Sequence, residues 1–190
     1  MDGREPASAM RQRRAIMSRL RTFVRADSGA AAVELALVAM PFFALLFAIV
    51  ELALIFLVSS SLENATEQAA RTIRTGQFQN GGTTTAQAFK TEICNNFGWL
   101  QADCSTNLSV DVRTFATFQS VTAPQPVTNK VFNPAALTFV PGGPGDIVVV
   151  RAYYQWPLIA PLMSQALETV NGGKNLITTT ATFRNEPYGP

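Results

Sequence analysis

The side chains that could do chemistry in this sequence are few. There is no histidine, there are two cysteines, and two carboxylates stand at the mouth of and inside a long apolar run. Without histidine the commonest general base and the commonest metal ligand are missing. Cys94 and Cys104 are too few to close a structural zinc site from one chain. Asp103, Asp111 and Asp146 are scattered and lack the spacing of a calcium loop. No GxxxxGK[ST], GxGxxG or GxSxG occurs, and "PGGPGD" (141–146) lacks the lysine and following helix of a phosphate loop. The expectation is a non-enzyme with no catalytic residues, no metal and no cofactor.

The carboxylates are Glu34 and Glu51. Glu34 follows "GAAAV" (29–33), and Glu51 is the one charged residue between Leu35 and Val58. If the chain is cut after Gly29, Ala30 carries a new ammonium group and Glu34 is the fifth residue of the product. Those two residues share a helix face, and Glu34 could pair with the Ala30 ammonium of a neighbouring molecule. One such charge pair sets the register of two apolar helices better than it stabilises them. For Glu51 two readings stand open. One is a protonated or snorkelling side chain near the membrane interface, and the other is a polar contact inside the membrane with another helix.

Both carboxylates need a helix to place them. Residues 35–58 as a helix span roughly 36 Å, enough for a hydrocarbon core of about 30 Å. The apolar part of a secretory signal peptide is shorter, about 7–15 residues, although a small-residue site near "VSSSLENA" leaves signal-peptide cleavage as a rival. Only 15% of the chain is charged, against about 25% in an average soluble protein. That charge is uneven. Residues 1–29 carry seven arginines against three carboxylates, a net of +4, which leaves −2 for the rest. A basic leader beside a lipid-length run reads as an orientation signal rather than a nucleic-acid site. It predicts a single-pass inner-membrane protein with a cytoplasmic N-terminus and a periplasmic C-terminal part.

The helical pattern continues past the apolar run. Leu62, Ala65, Ala69 and Ile73 recur at spacings of three and four. One helix is therefore expected from about Ala30 to Thr75, bent at Pro41 and stopped by Gly76. Three regions follow: a basic leader (1–29), a helix (30–75) with its membrane segment at about 35–58, and an outer head (76–190).

The head reads as α+β. "TTAQAFKTEICNNFGWL" (84–100) has apolar residues at helical spacing with Thr84 or Thr85 as cap. "NLSVDVRTFATF" (107–118), "DIVVVRAYYQWPL" (146–158) and "NLITTTATFRN" (175–185) read as three strands of a small antiparallel sheet. "APLMSQALETV" (160–170) reads as a short helix, and residues 122–146, rich in proline and glycine, as mostly loop. Val148, Val150, Ala152, Tyr154 and Trp156 share one strand face. Tyr153, Tyr154 and Trp156 could form a binding stripe, but core and sheet surface is the expected role. In an oxidising periplasm Cys94 and Cys104 are expected to form a disulfide.

The wording of the first half carries a resemblance. "GAAAVELALVAMPFFALLFAIVELALIFLVSSSLENATEQAAR" (29–71) resembles the TadE-like family of the tight-adherence (Flp pilus) system, and "ATFRNEP" (181–187) resembles the close of many such chains. Where that family usually has an aromatic residue after the first glutamate, this chain has Leu35. The resemblance implies a minor pilin or pseudopilin that takes part in assembling a pilus or related secretion apparatus. It also implies cleavage by a prepilin peptidase between Gly29 and Ala30 and use of Glu34 in assembly. The implied partners are that peptidase, other pilin-like subunits, the inner-membrane assembly platform and the lipid bilayer. The competing expectations are an unprocessed membrane-anchored periplasmic scaffold or binding module, and a secreted enzyme freed by signal peptidase.

Overall fold

The structure, a computed structural model, describes residues 27–160 and 165–189. Most of the basic leader therefore lies outside the described residues. The chain divides into two compact units, Met1–Phe47 and Ala48–Pro190.

What is described of the first unit is helical and belongs to α1 (Asp27–Arg74), which runs through Pro41. Its apolar side chains, from Val33 and Leu35 to Leu46 and Phe47, are exposed.

The second unit holds the rest of α1 and the head. Three short helices, α2 (Gln77–Asn80), α3 (Ala86–Asn95) and α4 (Gln101–Asn107), are followed by β1 (Leu108–Phe115) and a hairpin of β2 (Val127–Thr128) and β3 (Val131–Phe132). β4 (Ile147–Pro157) and β5 (Lys174–Arg184) complete the fold. The sheet is antiparallel in the order β1-β4-β5, so the architecture is α+β with the three expected strands. Each lies within a few residues of its expected bounds. The expected helix over 160–170 falls partly outside the described residues, and Gln165, Ala166 and Leu167 are helical.

The core forms where α1 meets the sheet. Val58, Leu62, Ala65, Ala69 and Ile73 are fully buried, at spacings of four, three, four and four, which is one face of a helix. They cluster with Leu108, Val110 and Val112 of β1, Val148, Val150, Ala152, Tyr154 and Trp156 of β4, and Ile177 and Ala181 of β5. Alanine at 65 and 69 leaves room for the backbone of α1 to come close. Full burial of each larger apolar side chain contributes about 1.5–3 kcal/mol. α1 contributes to this core from Leu54 to Ile73.

The other face of β4 is buried as well. Ile147, Val149, Arg151 and Tyr153 are all covered, which the unbroken apolar run "IVVV" permits. The excursion between β1 and β4 supplies much of this cover: the Phe132 ring lies 5.9 Å from that of Tyr153, and Arg151 donates to the Thr122 carbonyl. The same excursion pairs Thr138–Val140 with Val112, so the outer edge of β1 is partly closed. The β2–β3 hairpin within it departs from the expected loop. Its two-residue turn uses Asn129 and Lys130 at positive φ, 51° and 59°. An Asn-Lys pair is a weaker hairpin signal than Asn-Gly.

Gly76 ends α1 as expected, at φ 77°, and the Tyr188 ring occupies the space a Cβ would need there. α3 is capped by Thr85, whose hydroxyl accepts from the Ala88 N–H. Cys94 on α3 and Cys104 on α4 form the disulfide, with Cα atoms 5.5 Å apart. It closes a short loop in a head with a modest core. Replacing both cysteines by serine should lower head stability by about 2–4 kcal/mol, read as a drop in the midpoint of thermal or denaturant unfolding. Equal free-thiol labelling before and after reduction would show that no bridge forms.

Candidate functional site

Glu51 is the most constrained polar residue on α1. It is 2% exposed and lies seven residues before Val58, on the stripe that faces the sheet. Its carboxylate meets the far end of β4. Pro157 ends that strand and has no N–H to offer. The next N–H, of Leu158, donates to the Gly173 carbonyl at 2.8 Å. The following two, of Ile159 and Ala160, have left the sheet and donate to Glu51 Oε2 at 3.0 and 2.9 Å. The Trp156 indole N–H donates to Glu51 Oε1 at 3.4 Å. All three partners are donors to the carboxyl oxygens of Glu51. These polar contacts of Glu51 are to the chain's own head.

The membrane-type features of α1 are of another kind. Of the most apolar 18-residue stretch of this helix, 11% is buried in the structure, whereas a core helix of a soluble protein would be mostly covered. Gly29 and Ala30 lie near the start of α1, and Glu34 is exposed one turn on.

A second buried polar group was not singled out from sequence. Asp111 on β1 is fully buried and faces Arg151 on β4, its register partner. It accepts from Arg113 Nε at 2.9 Å and from the Thr138 N–H at 2.8 Å, and Arg151 Nη1 lies 3.6 Å away. Strand alternation could have signalled it, since Asp111 and Arg113 fall opposite the apolar set Val110 and Val112. Burial, and then the Asp111 charge, push the Tyr153 hydroxyl above its ordinary pKa, and Arg151 and Arg113 pull the other way. The cluster holds the covering excursion to the sheet and is closed to ligands by its own burial. Tyr154 packs edge-on against Phe97 at 5.0 Å and is 1% exposed, while Trp156 is 7% exposed. These aromatics are core, as expected. Among the described residues no group of three or more His, Cys, Asp or Glu could hold a metal ion.

The tail motif closes on the end of α1. Asn185, 3% exposed, donates to the Pro141 and Gly143 carbonyls. The Glu186 N–H donates to the Arg74 carbonyl at 2.8 Å, one of the carbonyls a helix end leaves without a partner.

Glu51→Ala would strand two backbone donors and an indole, each unsatisfied buried group costing about 1–3 kcal/mol. The variant should unfold earlier in detergent and shift Trp emission, while Glu34→Ala leaves both unchanged. Identical unfolding of Glu51→Ala and the parent would refute the clamp.

Neither the curated proteins nor the solved structures returned a match to this chain. One family model does match, described as TadE-like protein, over residues 29–71. The match starts at Gly29 and takes in Glu34, the apolar run, Glu51 and the buried stripe as far as Ala69, and leaves the sheet outside it. Residues 29–71 are thus similar to the TadE-like family, a family associated with the Tad pilus.

Proposed function

We propose that this protein is a membrane-anchored minor pilin or pseudopilin that takes part in assembling a tight-adherence pilus or a related secretion apparatus. The observation that carries the reading is the match of residues 29–71 to the TadE-like family. It coincides with a helix that is long and apolar enough to cross a membrane and is left mostly uncovered by the other described residues. The arginines of the leader favour a cytoplasmic N-terminus, which puts the head and its disulfide in the periplasm. In this reading the prepilin peptidase cuts between Gly29 and Ala30. The helix then leaves lipid for a bundle of pilin-like helices on the assembly platform, whose apolar surfaces replace the lipid contacts. Glu34 pairs with the ammonium group of a neighbouring Ala30 and fixes the axial register. The role is structural.

One observation favours a second reading, an unprocessed membrane-anchored scaffold. Gly29 and Ala30 are helical in the structure, and a helical backbone is a poor protease substrate until it unwinds. N-terminal sequencing of the protein from cells with an intact prepilin peptidase separates the two. The expected start is Ala30, and Gly29→Val should abolish it. A start upstream of Gly29 would leave the scaffold. Glu34→Ala should spare membrane insertion and impair pilus assembly, scored by recovery of sheared pili. Normal pili with that variant would remove the register role.

A further inference from the structure

The head carries exposed aromatic and branched side chains where it meets Glu51. Trp99 is 58% exposed and Ile159 64%, both large apolar residues left open to the surroundings. They belong to one rim. The Trp99 ring stands 6.3 Å from that of Trp156, Trp156 donates to Glu51, and Glu51 accepts the Ile159 N–H. The sequence around the rim is uncharged. No Asp, Glu, Lys or Arg lies between Arg151 and Glu168, nor between Glu92 and Asp103.

The same turns of α1 show an opposite, uncovered side. Leu52 is 49% and Phe56 80% exposed. Phe56 lies five residues beyond Glu51, about 8 Å further along the helix axis and towards the C-terminal end of the apolar run. If lipid covers Phe56, then a rim fastened at Glu51 is nearer the bilayer centre than Phe56 is. Irregular backbone at that depth must have its N–H groups satisfied by protein, because water is scarce there. Glu51 does this for Ile159 and Ala160. Tryptophan is the residue that favours this layer, with an apolar ring and one polar N–H.

We propose that this rim of the head, led by Trp99 and Ile159, is seated in the interfacial layer of the lipid bilayer, with Glu51 closing the backbone that is immersed there. The proposal rests on the membrane-anchored reading and adds to it that the head docks on the bilayer and does not stand clear of it. Lipid is the committed occupant because the rim is continuous, through Glu51, with the helix that enters the membrane.

The chain has two tryptophans, so the test is optical. The full-length protein is reconstituted into phosphatidylcholine–phosphatidylglycerol vesicles and floated on a density gradient. Emission is then compared in ordinary vesicles and in vesicles with brominated acyl chains. The expected result is a marked loss of emission with brominated lipid, most of which disappears in Trp99→Phe, where the buried Trp156 remains. Trp99 should also be shielded from aqueous iodide. Floated protein whose Trp99 ignores brominated lipid and is quenched by iodide would overturn the proposal and leave the anchor intact. Shielding of Trp99 from both quenchers would also overturn it, in favour of a protein neighbour on the rim. Failure to float would overturn the anchor reading itself.

Discussion

A helix that is apolar on all sides for lipid and apolar on one side for a protein core must change character partway along, and α1 does so near Glu51. Beyond that point Val58, Leu62, Ala65, Ala69 and Ile73 face the sheet. The helix packs against the sheet through a narrow strip, and two of its five fully buried apolar residues are alanine. The sheet brings larger partners to the same strip, among them Val148, Val150 and Tyr154. This contact organises the head. The short helices α3 and α4 are stapled to each other by the disulfide and complete the same core, and without the strip they would have little to bury against.

The buried polar groups follow one logic. Glu51 takes the N–H groups of the segment leaving β4, and Asp111 takes that of Thr138. Arg151 gives a hydrogen to the Thr122 carbonyl, and Asn185 gives hydrogens to the turn at 141–143. Each fastens a stretch of irregular backbone that has no ladder of its own. Buried backbone groups have to be paired somewhere, and a small sheet with long connections has many left over. In this head, charged and amide side chains supply the pairs that regular structure would supply in a larger domain.

Much of this was legible in the sequence, for physical reasons. The helix, its stop at Gly76 and the three strands depend on periodicity and local backbone preference, which a short window records. The α1 stripe and the inward face of β4 were readable for the same reason. The partners of Glu51 were not, because they lie 105 to 109 residues away and periodicity carries no information on which distant loop returns. The Asp111–Arg151 pair depends on strand register, which alternation alone leaves undetermined. The hairpin at 127–132 hid behind a turn pair that lacks glycine. Gly29 and Glu34 stood out by motif. Their geometry within α1 adds little, since the role read for them involves neighbouring molecules.

The long separation between α1 and its partners has a consequence for how the protein is made. Synthesis delivers the buried stripe of α1 first and the strands that cover it last, since β5 ends at Arg184. For more than 100 residues of chain growth the stripe has no complete surface to pack on, and the strip and its glutamate stay uncovered. Contacts this distant in sequence close slowly. The head therefore matures as one late event, once nearly the whole chain has emerged. During the interval the α3–α4 staple can form on its own, because its two cysteines are only ten residues apart. The staple can thus close before the core does, and a newly made chain carries its apolar stripe uncovered until then.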